Sequence, residues 1–110
     1  MEVTSSSENG ITFLHLNGRL DATTANQLDQ TIREIFTGGA KRLVVDLTKL
    51  SYISSAGLRV FLSAAKQTKS VEGKLALFGL SEEVKQIFDI SGFSSILPVF
   101  PSQSDAVAAV

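Results

Sequence analysis

The sequence predicts an α/β domain, with a mixed, mostly parallel β-sheet packed by about four helices. Two short segments, Leu43-Val44-Val45 with Leu47 and "LALFGL" from residue 75, are almost continuously apolar. Such runs mark strands buried on both faces. Between and around them, apolar residues recur at helical spacing. Strand–helix–strand alternation requires crossover connections and so places successive strands parallel. The 110 residues, 44% hydrophobic, suffice for one core and one domain covering residues 1–110.

The elements follow in order. "ITFLHLNG" is rich in β-branched and aromatic residues and reads as a strand ending at Asn17-Gly18. "EVTSSS" before it is a pairing partner, with "ENG" as the turn. Ala25, Leu28, Ile32, Ile35 and Phe36 then form a helical stripe, capped by Thr23 or Thr24 and stopped by Gly38-Gly39. The strand in "KRLVVDLTKL" comes next, and the chain is expected to leave the sheet through "TKLSYIS". From Ser55 a helix presents Leu58, Phe61, Leu62 and Ala65, broadened by Val60 and Ala64. "SVEGK" breaks it, and "LALFGL" follows. Ser81 caps "EEVKQIFDI", where Glu82 and Glu83 suit a positive helix start and Gly92 ends the turn. "ILPVF" is a last strand, placed at an edge by Pro98. "SQSDAVAAV" is a short terminal helix or a frayed end.

Composition excludes several functions. With 10 basic and 11 acidic residues, the chain shows no basic excess for nucleic acid or an anionic membrane. It has no cysteine, hence no disulfide and no thiol nucleophile. "MEVTSSSENG" does not read as a secretion signal, and no apolar run approaches the roughly 20 residues of a membrane span. A soluble, cytoplasmic protein is the default expectation. No His/Asp/Glu cluster has metal-ligand spacing, and no glycine-rich loop opens a helix, so no metal or cofactor is expected.

The chemistry of interest lies in "YISSAGLRVFL", residues 52–62. In open α/β sheets, ligands and partners meet the carboxyl edge of the strands. A serine at a helix start there can cap unpaired amides. It can also accept a phosphate, adding roughly −1.5 to −2 charges that a helix N-terminus tolerates. Ser55 fits both roles. A catalytic serine is disfavoured: Ile53 stands where the elbow pattern Gly-x-Ser-x-Gly needs glycine, and the sole histidine, His15, lies in another strand. Gly57 suits close helix–strand packing. Asp21 reads as a turn or cap residue. Asp46 could orient the serine loop or a partner if it reached that edge.

Three motifs together resemble the anti-sigma factor antagonists, stand-alone bacterial members of the STAS domain group. They are "LNGRLDATTA" at 16–25, "RLVVDLTKLSYISSAGLRVFL" at 42–62 and "GKLALFGLSEEVKQIFDISGF" at 73–93, followed by "ILPVF". The resemblance implies a mixed sheet packed by helices, and a partner that is both an anti-sigma factor and a serine kinase. It implies that the partner phosphorylates Ser55 and so releases the antagonist, and that a metal-dependent serine phosphatase reverses this. It implies regulation of sigma-factor-dependent transcription, with no enzymatic activity and no nucleic-acid contact of the chain's own. The partner-contacting positions it implies are Asp21, Asp46, Ser54, Ser55, Ala56 and Gly57. One departure is clear: Ser54 stands where the family usually has Asp, which makes Ser54 a competing acceptor. That substitution motivates a second expectation, a non-phosphorylated STAS scaffold or sensor module in a signalling assembly or beside a transporter.

Overall fold

A computed structural model describes all residues, 1–110. The chain runs β1 (Glu2–Glu8), β2 (Ile11–Leu20), α1 (Ala25–Thr37), β3 (Arg42–Ile53), α2 (Ser55–Ser70) and β4 (Lys74–Phe78). It continues through α3 (Glu82–Ser91), a 3-10 turn (Phe93–Ser95), β5 (Val99–Phe100) and α4 (Gln103–Ala109). The five strands lie side by side in chain order. β1 is antiparallel to β2, and all later neighbours are parallel. The β1–β2 turn is Asn9-Gly10, both at positive φ (53° and 78°), as a two-residue hairpin turn requires.

Side-chain alternation along the strands divides the interior in two. Leu43, Val45 and Leu47 of β3 enter a main core with Leu14 and Leu16 of β2. Leu28 and Ile32 of α1, Phe61 of α2 and Val84 and Phe88 of α3 complete it. Val44, between them in sequence, points to the opposite face and joins Ile11, Phe13, Ala76, Phe78 and Ala106 of α4. The apolar run in β3 is thus explained: both its faces are covered. Phe61 and Phe88 meet at 6.4 Å between centroids and are fully buried, each contributing about 1.5–3 kcal/mol. Thr68, the one buried polar side chain, donates to the Ala64 carbonyl at 2.7 Å.

Two strands run further than the sequence suggests. β2 does not stop at Asn17-Gly18 but continues to Leu20, and β3 does not leave the sheet through "TKLSYIS" but pairs with β2 as far as Ile53. The register shifts between His15 and Asn17 and again between Gly18 and Arg19. β3 therefore holds extra residues against β2, as β-bulges provide. α2 buries Gly57, Leu58, Val60, Phe61, Ala64 and Thr68, whereas Leu62 and Ala65 are half-buried at its margin. The end at "ILPVF" forms only a two-residue edge strand.

Candidate functional site

The carboxyl end of the β2–β3 pair brings two turns together. The Ser54 amide donates to the Leu20 carbonyl at 2.9 Å, tying the β3–α2 turn to the β2–α1 turn. Ser54 is extended (φ −98°, ψ 174°), and its Oγ accepts from the Gly57 amide at 3.3 Å. Its carbonyl accepts the first helical bond, from Leu58 N at 3.0 Å. Capping thus belongs to Ser54 rather than to Ser55, which the sequence suggested as the cap. The Asp that the resemblance implies at this position would serve as well, because Ser and Asp are both good N-caps. Ser54 fills the cap without placing a negative charge in the turn.

Ser55 is the first residue of α2. Its side chain is exposed and takes part in none of the chain's hydrogen bonds. Ala56 is half-buried and packs on the main core.

Gly57 is buried, and its packing role, which the sequence also suggests, is visible in the structure. A Cβ there would stand 2.7 Å from Leu20 Cγ and 2.9 Å from Ile53 Cγ1. Only glycine lets the first turn of α2 sit this close to the strand ends, and that fixes where Ser55 is presented.

Asp21 lies on the adjoining turn. Its Oδ1 accepts from the Thr23 hydroxyl at 2.7 Å and the Thr23 amide at 3.0 Å. Its own amide donates to Thr24 Oγ1 at 3.0 Å, and that hydroxyl donates to the Arg19 carbonyl at 3.0 Å. The Thr23 hydroxyl, then the Thr23 amide, hold the Asp21 carboxyl below the ordinary carboxylate range. The Arg19 guanidinium lies 4.3 Å from the centroid of the Tyr52 ring, stacking the ends of β2 and β3. This pair escapes sequence reading because it depends on the shifted register that sets Arg19 beside Tyr52.

The structure does not bring Asp46 to this edge. Asp46 pairs in register with His15, five residues before Leu20, which is about 17 Å at ~3.3 Å per residue. Its Oδ2 lies 2.9 Å from His15 Nδ1, and its Oδ1 accepts from the Thr48 hydroxyl at 2.7 Å and the Thr48 amide at 2.9 Å. Partial burial works to raise its pKa, but the Thr48 bonds and His15 outweigh it, and the carboxyl lies below the ordinary range. His15 also stacks on Phe13. His15 is therefore engaged by Asp46, not by Ser55. No group of three or more His, Cys, Asp or Glu side chains is placed to hold a metal ion, and no helix is long and apolar enough to cross a membrane.

Comparison with known proteins fits this geometry. The STAS domain profile matches residues 3–106. BtrV of Bordetella bronchiseptica, named as an anti-sigma factor antagonist, is 42% identical over 109 residues, 99% of this chain and 94% of BtrV. A Thermotoga maritima structure described as an anti-sigma factor antagonist superposes with a TM-score of 0.89 at 20% identity, covering 96% of this chain and 92% of that one. The Bacillus cell fate determinant SpoIIAA in its phosphorylated form has a TM-score of 0.74 at 19% identity, with 97% of each chain covered. The chain belongs to the anti-sigma factor antagonists of the STAS domain family.

Proposed function

We propose that this protein binds an anti-sigma factor that is also a serine kinase, and that phosphorylation of Ser55 ends the association. The single observation that carries the reading is the free, exposed Ser55 hydroxyl at the start of α2. In the transfer, Ser55 Oγ attacks the γ-phosphorus of ATP bound by the partner. ADP departs, and the hydroxyl proton passes to a base on the partner. The product adds roughly −1.5 to −2 charges at the contact surface. The Ser55 and Ala56 amides of the first turn, and the helix dipole, stabilise that charge by about 0.3–1 kcal/mol, so the fold survives the modification. A partner surface seated on the unmodified turn meets new bulk and charge and is displaced. A metal-dependent serine phosphatase restores the binding form. The chain supplies no catalysis: it presents a substrate hydroxyl and a docking surface made by Ser54, Ser55, Ala56 and the Asp21 turn, seated by Gly57. Asp46 lies further back along the β2–β3 pair, beside His15, and holds its strand with His15 and Thr48.

Incubation with the partner kinase and ATP, followed by peptide mass spectrometry, tests the reading. Phosphate is expected on Ser55 in wild type and none in Ser55→Ala. Phosphate on Ser54 alone, or on neither serine, would overturn it.

A further inference from the structure

The two lateral edges of the sheet are built differently. β5 is two residues long, follows Pro98, precedes Pro101 and lies beside α4. Shortness, proline and cover are the usual protections of a sheet edge. β1 has none of them. It is seven residues long and pairs with β2 without a break in register, from Glu2↔Asn17 to Glu8↔Ile11. Every residue of it except Val3 is exposed, and it holds no proline and no lysine. Alternate residues of such a strand turn N–H and C=O away from their partner strand, which makes a template for one more strand.

The side chains specify which strand. Thr4 and Ser6 pair with His15 and Phe13, so Glu2, Thr4, Ser6 and Glu8 share one face. Val3, Ser5 and Ser7 share the other, where Val3 packs against the main core. Glu2 and Glu8 are the only charges on β1, and neither enters the chain's two ion pairs, His15–Asp46 and Arg33–Asp29. A second copy paired antiparallel about Ser5 would set Glu2 opposite Glu8 twice. Like charges directly opposite are destabilising. In that register the edge opposes its own copy, and it suits a strand with a cation at each end.

We infer that β1 is a docking edge for an extended segment of another protein. That segment carries Lys or Arg opposite Glu2 and Glu8, an apolar residue opposite Val3, and hydroxyl or β-branched residues between. β1 contains none of the residues of the Asp21 and Ser54–Gly57 turns, so the two surfaces are built from different residues.

The probe is the capped peptide Lys-Thr-Thr-Val-Thr-Val-Lys, with a control carrying Glu at both ends. Each is titrated to millimolar concentration into the 15N-labelled full chain. Saturable amide shifts centred on β1 are expected with the Lys peptide, and about fivefold weaker binding of the Glu peptide. In the double variant Glu2→Lys/Glu8→Lys, whose changes lie on exposed positions, the preference should invert. Phosphorylation of Ser55 in that variant should match wild type, which keeps this test distinct from the phosphoswitch. Equal binding of both peptides, shifts away from β1 or their absence, or self-association of the chain through β1 would each overturn the proposal.

Discussion

The two turns that meet at the carboxyl edge use their hydroxyls in opposite ways. On the β2–α1 turn, Thr23 and Thr24 are both spent inside the chain, on the Asp21 carboxylate and the Arg19 carbonyl. On the β3–α2 turn, Ser54 is spent on the Gly57 amide while Ser55 is not. Neighbouring hydroxyls resemble the first case: Ser81 caps α3, Ser51 donates to the Gly18 carbonyl and Thr48 donates to Asp46. The Ser54 hydroxyl is half-buried and held in place by the Gly57 amide, whereas the Ser55 hydroxyl is exposed and unbonded. What distinguishes Ser55, the proposed switch residue, is therefore not serine at a helix start, which recurs in this chain, but serine one place beyond the cap.

The contrast can be broken by disturbing what seats each turn. Gly57→Ala should have the largest effect, a loss of about 1–3 kcal/mol in urea unfolding, because Leu20 and Ile53 must move to admit the methyl. Ser54→Ala comes next, costing about 1 kcal/mol for the lost cap, with phosphate still arriving on Ser55. The Arg19–Tyr52 contact should show a coupling of about 0.5–1 kcal/mol in a double-mutant cycle with Arg19→Ala and Tyr52→Leu. The smallest effect is on acid stability. The folded-state pKa values of Asp21 and Asp46 are lowered, so their contribution is present above the unfolded value of about 3.9 and is lost as pH falls through the folded ones. Urea midpoints should therefore fall below about pH 4. They should do so less steeply in Asp46→Asn, once its lower starting stability is subtracted.

Much of this was legible in the sequence, and the exceptions share a physical cause. The hairpin, the helices, the Ser81 cap and the Gly92 stop are local features, set by turn chemistry and helical spacing. The second half of β3 was not legible. Its buried residues Leu47, Leu50 and Ile53 recur every third position because bulges interrupt the two-residue alternation, a spacing that reads as loop. Asp46 looked able to reach the serine turn only because β3 was expected to end early. Its bond to His15 spans 31 positions and depends on the register of two strands. The sequence does not separate the cap Ser54 from Ser55, because the two side chains are identical in chemistry and differ only in how the fold places them, Ser54 extended and half-buried, Ser55 helical and exposed. Ser54 to Gly57 are neighbours in one short turn and so stand together in the sequence, whereas Asp21 comes beside them only through the pairing of β2 with β3 and the bond from Ser54 N to the Leu20 carbonyl.

The most direct measurement of the proposed switch is the affinity of the proposed anti-sigma factor partner for four forms of the chain: wild type, Ser55→Ala, Ser55→Asp and Ser54→Asp. A negative charge on the free hydroxyl's position should weaken binding at least about tenfold, while Ser55→Ala and Ser54→Asp bind as wild type does. Undiminished binding by Ser55→Asp, together with loss in Ser54→Asp, would show that the wrong serine has been assigned the switch.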